Sequence, residues 1–117
     1  MSGLVESSAD ARSKTIGQNF RVRAWVNFQG SGSVAIRDSG NVSSIPDNYT
    51  GIYFVNFTTN MSDSNYATHF SAGNYNSAGV RGFKILFNQE SNRVRVENRG
   101  LSGNEEDPPL ACVAVFQ

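Results

Sequence analysis

Phe20–Gln29, FRVRAWVNFQ, with the Gly30–Gly32 and Ser33–Arg37 segments that follow it, is the stretch that decides the fold. Phe20, Val22, Ala24, Val26 and Phe28 fall on one set of alternate positions, and Arg21, Arg23, Trp25, Asn27 and Gln29 on the other. A two-residue rhythm of this kind places one face of a strand on a core and the other against water or a partner chain. Gly30, Ser31 and Gly32 supply a turn, because glycine reaches positive φ without steric cost. SVAIR then resumes the alternation with Val34 and Ile36, so the pair reads as a β-hairpin.

The rhythm continues along the chain. Asp38, Ser39, Gly40 and Asn41 read as a turn, after which Val42 and Ile45 return to the core. Pro46 to Thr50 reads as an exposed loop opened by a residue of fixed φ. In GIYFVNFTT, Tyr53, Val55 and Phe57 share one face, and Ile52, Phe54, Asn56 and Thr58 share the other. The first half is apolar on both sides, which predicts a strand that is central and doubly covered or paired across an oligomer interface. Further strands are expected over 66–72, 81–89, 93–98 and the final ACVAVFQ. In 81–89, Phe83, Ile85 and Phe87 alternate with Gly82, Lys84 and Leu86. About seven short strands with frequent turn signals predict an all-β chain, an antiparallel sandwich of jelly-roll-like form. Residues 1–19 are small and polar and predict a flexible arm, a possible attachment segment, ahead of a single domain over 20–117.

The run RAWVNFQGSGSVAIRDSGNVSSIPDNYTGIYFVNFTTNMSDSNYA also carries a resemblance. The matching elements are the aromatic-V-N-F-x-G-x-G run from Trp25 to Gly32, V-A-I-R-x-S from Val34 to Ser39, and N-V-S-S-I from Asn41 to Ile45. T-G-x-Y from Thr50 to Tyr53, V-N-F-T-T from Val55 to Thr59 and D-x-N-Y-A from Asp63 to Ala67 complete the set, with ACVAVFQ as a terminal strand. Together they resemble the repeating domain at the ends of tail-fibre and related virion proteins of tailed bacteriophages, especially phages of cyanobacteria and marine bacteria. The resemblance implies a non-enzymatic virion structural protein, homotrimeric, forming a fibre tip, spike or knob of the host adsorption apparatus. It also implies other virion proteins as partners, and a localisation on the virion after synthesis in the host cytoplasm. Two features depart from that family. About twenty residues precede the domain where a shaft is usual, which leaves a capsid decoration protein held by its N-terminal arm as an alternative. Tyr49 and Phe54 stand where smaller or more polar residues are expected, which marks them as candidates for a subunit or ligand contact.

Composition narrows the classes. Hydrophobic residues make up 38% of 117, and ten basic residues balance ten acidic ones, so the basic excess typical of a nucleic-acid partner is missing. Insertion in a membrane is not expected, since no run approaches the eighteen or so apolar residues of a span, and MSGLVESS lacks the features of a signal peptide. One cysteine, Cys112, excludes an internal disulfide and a cysteine metal cage, and reads as a small side chain on the last strand.

Chemistry has few footholds. His69 is the one histidine, no GxSxG elbow occurs, and one His with one Cys falls short of a zinc ligand set, so no catalytic residue, metal or cofactor is expected. The carboxylates Glu105, Glu106 and Asp107 read as part of a solvated loop, GLSGNEEDPP. A glycan on the host surface is the sharper alternative partner. Sugars stack on exposed rings and bond to amides, and Tyr49, Tyr75, Asn48, Asn74 and Asn76 fall in loops near Asp47. Trp25 shares its strand face with arginines, and is expected to be covered by a neighbouring subunit or by the 100–109 loop.

Overall fold

The computed structural model describes residues 21–47, 49–73, 83–100 and 103–117. Eight strands form among them: β1 (Val22–Gln29), β2 (Ala35–Gly40), β3 (Val42–Ser44), β4 (Ile52–Phe57), β5 (Ala67–Gly73), β6 (Phe83–Gln89), β7 (Arg93–Arg99) and β8 (Leu110–Phe116). They make two four-stranded antiparallel sheets, ordered β2-β1-β8-β5 and β3-β4-β7-β6, stacked as a sandwich. β7 and β8 follow one another in sequence and run through the interior of both sheets. Each is flanked by an earlier strand on either side, β4 and β6 around β7, β1 and β5 around β8.

Alternation explains the core. Ala24, Val26 and Phe28 of β1 and Ala111, Val113 and Val115 of β8 are almost fully buried from one sheet; Tyr53, Val55, Phe57, Val94 and Val96 meet them from the other. Burying each large side chain stabilises the fold by about 1.5–3 kcal/mol. The Phe28 and Tyr53 rings meet edge to face at 5.0 Å, and Phe57 meets Tyr66 at 5.8 Å, so the two sheets interlock through aromatic edges.

Asp38, Ser39 and Gly40 do not turn the chain. They belong to β2, which stays paired to β1 as far as Trp25↔Gly40. The chain changes sheets one residue later, at Asn41, whose φ of 57° bends the backbone between β2 and β3. Asn tolerates this region because its short amide can bond locally. Here its Nδ2 donates to the carbonyls of Arg23 and Thr59, both at 3.0 Å, and its Oδ1 accepts from the Thr59 amide at 2.7 Å. One side chain thus ties β1 of the first sheet to the end of β4 in the second.

β6 departs furthest from its sequence rhythm. Its inward positions are Lys84 and Leu86, opposite the buried Asn98 and Val96, while Phe83 and Ile85 stand opposite Arg99 and Glu97 on the outer face. A register shift between Leu86 and Asn88 places Phe87 at a bulge, where alternation breaks. Val22 is likewise exposed, because the β1–β8 register shifts between Val22 and Ala24. Phe20 and the 1–19 arm lie outside the described residues.

Between 103 and 109 the chain keeps Asn104, Glu105 and Glu106 exposed but is anchored at Glu106, Asp107 and Pro108. Asp107 Oδ1 accepts from the Tyr53 hydroxyl at 2.8 Å and from the Gly51 amide at 2.6 Å, and the Glu106 amide donates to Asn98 O at 3.0 Å. The Gly30 amide donates to Pro108 O at 2.9 Å. A Cβ at Gly30 would lie 2.5 Å from the Tyr53 oxygen, so the loop, the β1–β2 turn and the core tyrosine close on one another only around a glycine.

Candidate interaction surface

The outer face of β4, β7 and β6 gathers side chains that a solvated sheet face does not ordinarily carry. β7 presents Arg93, Arg95, Glu97 and Arg99 outward, since Val94, Val96 and Asn98 alternate inward. Across the ladder, Phe54 stands opposite Arg95, Ile52 and Ile85 stand on either side of Glu97, and Phe83 stands opposite Arg99. Cross-strand neighbours on one face sit within about 5.5 Å of each other at Cβ, so these side chains must pack together.

They pack as a stack of guanidinium groups on rings. The Arg95 guanidinium lies 4.0 Å from the Phe87 centroid and 5.7 Å from that of Phe54, and Arg93 lies 4.6 Å from Phe54. Each such contact contributes about 0.5–1 kcal/mol when exposed, and more when water is excluded. Behind the stack, Glu97 is 1% exposed. Its two oxygens lie 2.9 Å from Arg95 and from Arg99, and Arg99 reaches further to Glu105 at 3.2 Å and to the Gly103 carbonyl at 3.0 Å. A carboxylate so enclosed on the outside of a sheet is tolerable only because two arginines neutralise it. The arginines are therefore half-buried structural groups, not the solvated charges that alternation predicts. The Nε atoms of Arg95 and Arg99 are buried without an acceptor among the described residues.

The rim of this face is apolar. Phe83 is 57% exposed and Phe87 61%, both on β6, an edge strand of its sheet among the described residues. An edge strand with exposed rings offers both unpaired backbone and apolar area to a partner.

Other candidate residues are dispersed. Phe54 is half-buried within the stack just described. Trp25 is 41% exposed on the opposite sheet, and its indole lies over Gly40, where an added Cβ would meet Nε1. Glycine thus makes room for the ring one strand away, and Glu106 and Asp107 of the 100–109 loop bond instead to Gly51, Tyr53 and Asn98. Tyr49 is 59% exposed in the loop before β4, bridged to Ile52 at the end of the sandwich that also holds Gly30 and Pro108. Asn48, Asn74, Tyr75 and Asn76 lie outside the described residues.

His69 is exposed on the outer face of β5 opposite Ala114, and Cys112 is a half-buried free thiol on β8. Among the described residues no group of three or more His, Cys, Asp or Glu side chains is arranged to hold a metal ion, and no helix is long and apolar enough to cross a membrane. Burial, then the hydrogen bond to Asp107, pushes the Tyr53 hydroxyl well above the ordinary tyrosine value. Burial pushes Tyr66 up to about 12, and burial lowers Lys84 from the usual lysine value. Tyr53 and Tyr66 are thus framework groups, held neutral by their surroundings.

The arginine–phenylalanine stack had a partial signal in sequence: Arg93, Arg95 and Arg99 in β7 alternate with valines, and Phe54 occupies the outward phase of β4. What was missing was the register that sets Phe87 beside Arg95. No protein-family model matches this chain, no curated protein matches it, and no solved structure matches it.

Proposed function

We propose that the chain is a non-enzymatic structural module of a tailed-bacteriophage virion that associates with copies of itself, as a homotrimer, to form a tip, spike or knob of the tail. The observation that carries self-association is the outer face of β4, β7 and β6, where exposed Phe83 and Phe87 border a preformed guanidinium stack. Aromatic and arginine side chains are the types most enriched at protein interfaces, and a stack already locked by Glu97 loses little conformational freedom on docking. The virion role and the order of three rest on the resemblance of residues 20–117 to tail-fibre terminal domains.

Mass measurement in solution tests this reading. A particle of three times the 12.7 kDa chain mass is expected. The double variant Phe83→Glu, Phe87→Glu, whose new carboxylates fall beside Arg99 and Arg95, is expected to remain folded and become monomeric. A wild-type chain that stays monomeric at every concentration overturns the proposal.

Exposed Tyr49 favours a second reading, recognition of host glycan through the loops around Asp47. Glycan-array binding lost in Tyr49→Ala, at unchanged melting temperature, would support it.

A further inference from the structure

At the end of the sandwich away from Tyr49 lies a cleft of about 880 Å³, bounded by the start of β1, the end of β8 and the segment between β4 and β5. Arg23, Thr59, Asn60, Asn65, Phe116 and Gln117 line it. Its volume falls in the range of small-molecule sites, about 300–1,000 Å³.

Part of the wall is fixed in advance. Gln117 Oε1 accepts from the Ser62 hydroxyl at 3.0 Å, and its Nε2 donates to Asp63 Oδ1 at 2.8 Å, which also accepts from the Asn65 amide. Arg23 Nε donates to Gln117 O at 2.9 Å, and Asn41, whose amide is fully engaged, holds the back. The side chains of Thr59, Asn60 and Asn65 are a different set: exposed, facing the same space, and carrying no side-chain hydrogen bond to a described residue. A hydroxyl and two carboxamides both donate and accept. Phe116, 37% exposed, adds a flat apolar surface beside them.

Charge selects the ligand class. Among the described residues Arg23 is the one ionisable side chain lining the cleft, and Asp63, held behind it through Gln117, balances it. An anion such as a phosphate would meet one arginine already bonded to the backbone, whereas vicinal hydroxyls present the mixed donors and acceptors that amides match. We infer that this cleft binds a neutral carbohydrate, with Asn60 and Asn65 bonding its hydroxyls and Phe116 stacking on its C–H face. This site is remote from Tyr49 and takes no residue from the β6 face, so it stands independently of the self-association reading.

Backbone amide spectra of the full chain, titrated with methyl glycosides of glucose, galactose, mannose and N-acetylglucosamine, test the assignment, with N-acetylneuraminate and inorganic phosphate as charged controls. At least one neutral glycoside is expected to give saturable shifts confined to residues 59–65 and 116–117. The double variant Asn60→Ala, Asn65→Ala is expected to weaken it about tenfold or more at unchanged melting temperature, and Phe116→Leu, on the outward phase of β8, to weaken it without touching the core. No saturable shift with any glycoside, shifts centred on the Tyr49 loop, stronger response to either charged control, or undiminished binding by the amide variant would each overturn the inference.

Discussion

The two sheets of the sandwich share an interior but not an exterior. The β2-β1-β8-β5 sheet is apolar within and modest without: Cys112 and Ala114 are half-buried on its outer side, and Trp25 folds down over Gly40. The β3-β4-β7-β6 sheet carries polar machinery on both sides, with Tyr53 and Asn98 bonded to the 100–109 loop within, and Glu97 clasped by arginines without. The second sheet therefore depends more heavily on charge pairing and buried polar groups than the first, whose side-chain hydrogen bonds lie at its periphery. That asymmetry assigns the costs of mutation, and each expected cost can break it.

Glu97→Ala should show the largest effect. Removing the carboxylate leaves Arg95 and Arg99 close together and partly desolvated, and about 2–3 kcal/mol of stability in denaturant unfolding should be lost, less than for fully buried partners because both arginines reach water. A loss below about 0.5 kcal/mol would make the second exterior as passive as the first.

Tyr53→Phe comes next, at about 1–2 kcal/mol, for it takes from Asp107 one of its two donors and leaves only the Gly51 amide. This position also predicts a pH dependence. Unfolded tyrosines ionise near pH 10, whereas folded Tyr53 and Tyr66 are held protonated above that value, so the unfolded state binds fewer protons in alkali. Stability should hold below about pH 10 and fall as pH rises past it. The fall should be shallower in Tyr53→Phe, by up to about 1.4 kcal/mol per pH unit; an identical slope would show that Tyr53 ionises freely.

Arg95→Ala should cost about 1 kcal/mol through lost contact with Phe54 and Phe87 as well as with Glu97, and should raise the solvent exposure of both rings. Smallest of all, Cys112→Ser on the first sheet's exterior should change stability by less than about 0.5 kcal/mol. A larger change there would mean that this outer face is buried against something in solution.

The strands of the core were legible in sequence because β1, β4, β7 and β8 each keep strict alternation over the residues that face inward. β6 was not, and the reason is physical. Alternation separates two faces but does not say which is inside, and apolar residues fall on both sides of β6; the choice is made by its register against β7, where Val96 and Asn98 already point inward. Bulges add the same ambiguity at Val22 and Phe87. Asp38–Gly40 has turn composition yet remains strand, since Gly40 is required beneath Trp25 rather than for a reversal. The anchoring of Asp107 was not legible because its partners, Gly51 and Tyr53, lie some fifty residues away in sequence. Of the candidate site, the arginines and Phe54 were visible singly, but their stacking is a product of strand register.

The place of β8 has a consequence for how the molecule is made. Because Leu110–Phe116 slots between β1 and β5, a nascent chain still waiting for these residues holds two strands with nothing to join them, and the first sheet closes only when its last strand leaves the ribosome. Truncation short of Leu110 should therefore leave the β1 and β5 edges exposed and the first sheet unformed, which loss of cooperative unfolding would report.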